Sequence, residues 1–524
     1  VKPISHATRF KDMRDETAVL RNEQYAKWTI AQLMIDLEQA AHSGTQIAVE
    51  RDYQEMGALL VNNLAAKLAG LLFPSSRPFF KIELSPELQA QAEGSGVNPT
   101  TIAAELARME MAACQQLFKN ASYNQLVQAL RLLIITGNCL MYRDSVSKRS
   151  IVYGMQQYSV RRDGQGNLLD CVLREYTYFE ALDPAIQKQL ALRHPTKYNR
   201  PHQSDPVRVA LYTRIHREQT KGGKVRYLVT QEADDIPVGK KGTYPEHLCP
   251  WQAPTWNLIA GEHYGRGLVE DYAGGFAKLS DLSEAAALYE VESAHVLNLV
   301  SSGSGTDIDT MATASMGQWV TGDVGTVAAY EAGSHEKVRQ MRESISEVFG
   351  RLARAFMYTA NTRDAERVTA YEIQRDAREA ENTLGGTYSS LAESIQVPLA
   401  HILLTEIKPG ALAGLVSDDI RLDIMAGIPA LGRSSEAQNV LMVTQEAAVV
   451  MQLAQIDQRI DIEKLMDLLY AGQSVDTTAL FKSDDQLREE AKARAAEAEG
   501  QQQMAMAAGM AETQQAVQQL SQQG

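Results

Sequence analysis

The sequence predicts a mainly helical chain with an inserted β-rich region, an α+β protein, and three observations predict it. Of 524 residues, 44% are apolar but only 6% are aromatic, thin for an all-β protein and ordinary for a helical one. Apolar residues recur in steps of three and four on both sides of the chain's middle. Between these stretches, residues 150–260 change to runs of Tyr, Val, Leu and Thr punctuated by Gly-rich turns. At roughly 100–200 residues per domain, the length allows about three or four domains.

Taken in order, residues 11–142 read as helical. Leu20, Trp28, Leu33 and Leu37 recur at roughly helical spacing, Ala58–Leu72 continues the pattern, and Pro74 and Pro78 stop it. Residues 99–142 resume it and meet a break at Gly137-Asn138. In the β-rich region, Asp163-Gly-Gln-Gly-Asn167 predicts one hairpin turn and Lys221-Gly-Gly-Lys224 a second. From Phe276 helix returns. Leu279, Leu282, Ala286, Tyr289, Ser293, Val296 and Val300 form one seam with a period near 3.5. Val338, Met341, Ile345, Val348, Leu352 and Ala355 form another. These seams predict two long packed helices over 276–300 and 335–357. Between them, 301–334 holds six glycines and few charges, which predicts a compact unit at the tip of the pair, with a short strand at Gly317–Thr321.

Beyond a polar link at 358–368, Thr369-Ala-Tyr-Glu372 fits a capping box and opens a helix running to Leu404. Gly385-Gly386 inside that pattern predicts a kink. Residues 435–470 are again helical. The last stretch, 491–524, is Ala- and Gln-rich, with nine glutamines between Gln501 and Gln523 and little to bury. It is expected to be frayed or disordered.

The net charge is −14, which argues against a protein that coats nucleic acid through a basic surface. The four cysteines, Cys114, Cys139, Cys171 and Cys249, form no CxxC pair, so a reducing, cytosolic setting is expected. The most apolar windows are broken by polar residues, so no membrane partner is expected. No enzyme motif stands out. The phosphate-loop pattern and H-E-x-x-H are absent. The acidic pairs Asp234-Asp235, Asp307-x-Asp309 and Asp418-Asp419 lack a third carboxylate or a catalytic lysine in frame, and solvated loops explain them better than a Mg²⁺ site. No cofactor and no catalytic residue is expected.

The order of these parts resembles the head-to-tail connector, or portal, family of short-tailed bacteriophages of the podovirus type. The residues that carry the resemblance are Asn62-Asn-Leu-Ala-Ala-Lys-Leu68 with Leu72-Phe-Pro74; Gly137-Asn138 before Tyr142; Arg162-Asp163 and Gly166-Asn167; Gly242-Thr-Tyr-Pro245 with Cys249-Pro250; Tyr264-Gly265-Arg266; and Glu366-Arg-Val-Thr-Ala370 through Thr383-Leu-Gly-Gly386. The resemblance implies a dodecameric ring at one capsid vertex, a channel for double-stranded DNA during packaging and ejection. It implies a wing (1–275), two stem helices (276–300 and 335–357), a clip (301–334), a tunnel loop (358–368), a kinked wing helix and return (369–434) and a crown (435–490). Its implied partners are further copies of the chain, non-specifically held DNA, a terminase motor, a tail adaptor, and the major capsid, scaffolding and internal core proteins. It also implies assembly in the host cytoplasm and residence in the virion. In the tunnel loop, Arg363, flanked by Asn361 and Thr362, would face the DNA, while Arg367 would pair with Glu366 at the following helix start. Leu279, Leu282, Tyr289, Val296, Val338, Met341, Ile345, Val348 and Leu352 would pack the stem, and Gly385 and Gly386 would kink the returning helix. The residues by themselves leave open a structural oligomer or adaptor unrelated to DNA.

Overall fold

The computed structural model describes residues 4–35, 49–50, 52–75, 78–83, 99–119, 122–198, 207–220, 222–293, 296–303, 307–315, 317–320, 325, 327–331, 335–358, 379–380, 382–407 and 423–426. Two short helices, α1 (His6–Met13) and α2 (Glu16–Lys27), precede α3 (Met56–Leu72) and strand β1 (Phe80–Glu83). Helices α4 (Pro99–Phe118) and α5 (Ser122–Thr136) lead into β2 (Leu140–Arg143) and β3 (Ser150–Tyr153). The β-rich region follows as β4 (Tyr158–Arg162), β5 (Leu168–Tyr178), β6 (Arg208–Gln219), β7 (Val225–Ala233) and β8 (Ile236–Pro245), with α6 (Pro184–Arg193) and a single turn, α7 (Pro195–Tyr198), between β5 and β6. Strand β9 (Trp251–Gln252) and the short α8 (Leu268–Asp271) lead to α9 (Ala273–Ser293). Then come β10 (Val296–Val300), α10 (Ile308–Thr313), β11 (Val327–Glu331) and α11 (His335–Ala355). Helices α12 (Thr387–Leu391) and α13 (Val397–Glu406), joined by a π-helical turn, precede β12 (Asp423–Ala426).

Strands β4 to β8 form one antiparallel sheet in sequence order, a meander. Both predicted hairpins lie in it, and β8 adds a third. The turn into β8 is Asp234-Asp235, both with positive φ (45° and 64°), the geometry of a two-residue hairpin turn. Asp234 also accepts hydrogen bonds from Lys197 Nζ, at 2.7 Å, and from the Tyr198 hydroxyl. This acidic pair is a turn with its own partners. At the other turn, Asp163 accepts from the Gln165 and Asn167 N–H groups at 2.9 and 2.8 Å.

One face of the meander joins the main core through Tyr158, Val160, Cys171, Leu173, Ile215 and Tyr227. Helix α1 crosses the other face, five residues earlier than the periodicity predicts a helix to start. Ser5 caps it by accepting the Thr8 N–H. Phe10 packs edge-on against Tyr212 at 5.9 Å and under the Arg174 guanidinium at 4.9 Å. His6 is buried and reaches Thr230 Oγ1 at 2.9 Å; burial lowers its pKa.

The main core is built on α3 and α5. Leu60, Leu64, Leu68 and Leu72 recur at every fourth position and are all fully buried, as are Leu133, Ile134 and Ile135 of α5. The helical stretch expected over 11–142 is divided into separate helices and ends at Thr136, because Gly137 turns into the left-handed region (φ +74°) and the chain enters β2. The four cysteines are buried free thiols, and burial pushes Cys114 and Cys249 up to about 12. No described helix is long and apolar enough to cross a membrane.

Two polar contacts fix the corners of this core. Asn138 Nδ2 donates to Gly265 O and Gly265 N–H donates to Asn138 Oδ1, both at 2.7 Å. Arg143 holds Glu406 in a bidentate pair, Nε–Oε1 and Nη2–Oε2 both 2.9 Å, with the two side chains 3% and 6% exposed. Removing one partner of such a pair strands a buried charge. We therefore expect Arg143→Met to destabilise the chain by about 3–5 kcal/mol in chemical denaturation, and the double variant Arg143→Met/Glu406→Leu to recover most of that loss.

Candidate functional site: the helical arm

The two seam helices pack antiparallel as an arm. At its base, Phe356 meets Phe276 edge to face at 5.6 Å and Tyr272 at 6.0 Å. Phe276 and Phe356 are buried, as are Leu279, Val348 and Leu352, while Tyr272 is exposed. Gly275 lets Leu352 lie against the α9 backbone; a Cβ there would sit 3.1 Å from Leu352 Cδ2. Further out, Arg342 Nη2 and Glu290 Oε1 form an ion pair across the arm at 2.8 Å. Ser280 Oγ donates to Asp52 Oδ1 at 2.7 Å and ties α9 to the segment before α3.

Burial along the predicted seam is graded. Leu279, Val348 and Leu352 are buried, whereas Leu282, Tyr289, Val338, Met341 and Ile345 are half-buried. Val296 departs from the expectation. Helix α9 ends at Ser293, and Val296 opens β10, paired with Glu331 of β11. The run Val296-Leu-Asn-Leu-Val300 is rich in β-branched and bulky residues that suit a paired strand, and its spacing matches the helical seam only by coincidence. The arm therefore continues as a two-stranded ribbon, with Val300 opposite Val327. The segment between the helices begins at 294, not 301.

The tip also departs from the expectation. Residues 317–320 form no strand, and Trp319 is 99% exposed. Asp307, half of the D-x-D pair, is the N-cap of α10 and accepts from the Asp309 N–H at 3.1 Å. The Thr310 hydroxyl and the Asp309 and Thr310 N–H groups hold its carboxyl below the usual aspartate range. Among the described residues no group of three or more His, Cys, Asp or Glu is placed to hold a metal ion.

Sequence reasoning missed the exposed apolar residues Leu288 (56%) and Val291 (64%) on the outer side of α9. They lie off the seam, and only a helical-wheel comparison of both faces would have picked them out.

Where α11 ends, Met357 takes the left-handed conformation (φ +51°), the Met357 N–H donates to Arg354 O and the Tyr358 N–H to Ala353 O. This is a Schellman stop built on a non-glycine residue, and Lys67 Nζ donates to the Met357 carbonyl. Arg363, Asn361, Thr362, Glu366 and Arg367 follow this stop and lie outside the described residues, as do 435–490 and 491–524. Gly385 and Gly386 are described, and both have positive φ, 61° and 88°. They break the helix where a kink was expected, because two successive left-handed residues cannot continue an α-helix. The π-helical turn Ala392–Gln396 then absorbs Pro398, which lacks the N–H an α-helix would use.

Three contacts tie distant stretches of the chain together. Asn138 meets Gly265, Arg162 Nη2 donates to Ala253 O at 2.6 Å, and the Tyr388 hydroxyl donates to Leu71 O at 3.3 Å. The family model for the bacteriophage head to tail connecting protein matches residues 5–480. The chain belongs to this family. The match makes it a structural protein of the phage particle that works where head and tail join. It is 45% identical over 484 residues to the portal protein of Pseudomonas phage phiKMV, covering 92% of each chain. It is 32% identical over 493 residues to the portal protein of Enterobacteria phage SP6, covering 94% of this chain and 91% of that one. Among solved structures it is similar to a chain in the neck of an empty GTA particle, with a TM-score of 0.38, 10% identity, and coverage of 75% and 86%.

Because Leu352 is buried against Gly275, Leu352→Ala should cost about 2–5 kcal/mol. Ile345, half-buried toward the tip, gives a second test. Ile345→Asp should lower the melting temperature clearly, and unchanged melting would show that Ile345 faces solvent.

Proposed function

We propose that twelve copies of this chain form a ring at one capsid vertex, around a channel for double-stranded DNA during packaging and ejection. The ring is also the attachment site for the packaging motor and the tail. The observation that most supports this reading is the arm itself. It has two antiparallel helices of 21 residues, each about 30 Å long, a closed apolar base, and the outer apolar residues Leu288 and Val291 left exposed. Such an arm is an incomplete packing unit, and lateral neighbours complete it. Family membership adds the setting, the junction of head and tail.

On this reading the wing comprises residues up to Tyr272, and the stem is α9 and α11. The clip takes in 294–334, the tunnel loop is 358–368 and the crown is 435–490. The ring's partners are a terminase motor, a tail adaptor, and the capsid, scaffolding and internal core proteins. The net charge fits a conduit, since a predominantly acidic wall repels phosphates and lets DNA slide. The ATP-driven work belongs to the motor, consistent with the lack of a phosphate-loop motif. Arg363 would supply a ring of cations that holds the backbone without reading sequence, and Arg367 with Glu366 would serve as a structural pair.

Electron micrographs of the purified chain in end view test the ring; a monomer at every concentration would remove the reading. Arg363→Ala should leave rings intact and reduce DNA retention or packaging yield. Equal retention would sink the assignment, and failed assembly would make Arg363 a structural residue.

A further inference from the structure

We propose that the ring closes through a charge-complementary contact between arms, with Asp281 and Glu284 of α9 in one copy seated against Arg351 and Arg354 of α11 in the next. This rests on the ring reading above and names the surfaces that meet. A cyclic ring needs two different faces on each copy, because head-to-tail contacts are heterologous. The arm offers two. Helix α9 carries Lys278 against Asp281, Glu284, Glu290 and Glu292. Helix α11 carries Lys337, Arg339, Arg342, Arg351 and Arg354 against Glu336, Glu343 and Glu347.

Part of this charge is used within the chain. Arg342 pairs with Glu290, and Arg339 lies 2.8 Å from Glu336 and 3.8 Å from Glu343. Asp281, Glu284, Arg351 and Arg354 are exposed and make no ion pair among the described residues. Lys278 and Glu347 are the two outer charges that run against the pattern.

Height along the arm brings these groups together. The contacts Phe276–Phe356 and Glu290–Arg342 fix which residues of the two helices are level. Counting one residue along each antiparallel helix per step, Asp281 comes level with Arg351, and Glu284 lies within one turn of it. Rotation about an axis along the arm leaves height unchanged. In a ring whose axis runs that way, the acidic pair of one copy faces the basic pair of its neighbour. Leu288, one turn beyond Glu284 on the same outer side of α9, adds apolar area to the contact. Each exposed ion pair is weak alone and screened by salt, but the contact repeats at every subunit boundary, and a ring closes only if all boundaries hold.

The test uses the full chain, with ring fraction read by sedimentation velocity and end-view micrographs. Two variants are made, Asp281→Lys/Glu284→Lys and Arg351→Glu/Arg354→Glu. Each alone should lose rings under conditions where the unchanged chain forms them, since like charges then meet at every boundary. An equimolar mixture should recover rings holding the two variants in equal number, because in an alternating ring the two altered faces meet each other and the two unaltered faces meet each other, each boundary again joining opposite charges. Rings from either variant alone at the unchanged chain's level, or no recovery from two variants that melt as the unchanged chain does, would overturn the proposal. Should a charge reversal fail to fold, Asp281→Asn/Glu284→Gln reads the same contact through salt. The unchanged chain's loss of rings on raising salt should flatten in this variant, and an identical salt profile would overturn the proposal. An unchanged chain that forms no ring at any salt would instead remove the ring reading itself.

Discussion

The direction of the arm depends on a contact between two stretches of backbone with almost no side chain between them. Asn138 grips Gly265 by both edges of the peptide, and the Trp256 N–H donates to Gly137 O at 3.0 Å. Three glycines make the approach possible. A Cβ on Gly137 would lie 2.3 Å from Arg266 C, one on Gly265 2.8 Å from Gly137 O, and one on Gly267 2.6 Å from Ile135 O. The close approach buries peptide groups, and burial of polar groups is tolerable only when they are hydrogen-bonded. The Asn138 amide, which both donates and accepts, satisfies them. Gly267 is followed at once by α8 and then by α9, so the exit angle of the arm is set at this joint.

A second constraint closes the core from the far end of the chain. The Arg143–Glu406 pair joins β2 to the end of α13, and Ser122 and Ser150 stand within 3.4 and 3.2 Å of Arg143 Nη1. The pair's net contribution is small after desolvation, but its geometry is narrow, so it specifies where α13 stops. From the same helical run, the Tyr388 hydroxyl and Gln396 Nε2 donate to the last carbonyls of α3. These carbonyls would otherwise be buried without partners. The returning helix is thereby fastened to the first large helix of the core.

Against these two fixed points the arm changes character along its length. Its base is as dry as the core around it, with Phe276 and Phe356 fully buried. Its middle is half-buried, and its outer side is a mosaic of charge and exposed Leu288 and Val291. Residues 294–334, between the two helices, contain four acidic residues and no Lys or Arg. Such a gradient suits a part that is anchored in one chain and completed by others. It places the least satisfied surface farthest from the core, where its exposure does not weaken the fold of the single chain.

The sequence by itself determined the helical blocks, the β-rich insertion with its two Gly-marked hairpins, and the paired helices with a small unit between them. These follow from local periodicity and turn chemistry, which depend on neighbours three or four residues away. The motif segments were legible too, as a fixed order of parts. The tertiary structure decided what those segments do. Asn138 and Gly265 are 127 residues apart, and no local rule says that they touch. It also decided that Val296 belongs to a strand, since a residue seven positions beyond Tyr289 and three beyond Ser293 fits either state until a partner strand appears. Gly385-Gly386 breaks its helix for a similar reason: the pair tolerates a kink and a full stop equally, and the packing of Leu384 and Tyr388 on either side selects the stop. The exposed charges of the arm were visible as letters. Which of them lie level with one another was not, because it depends on how far one helix slides along the other, a quantity fixed by the contacts Phe276–Phe356 and Glu290–Arg342.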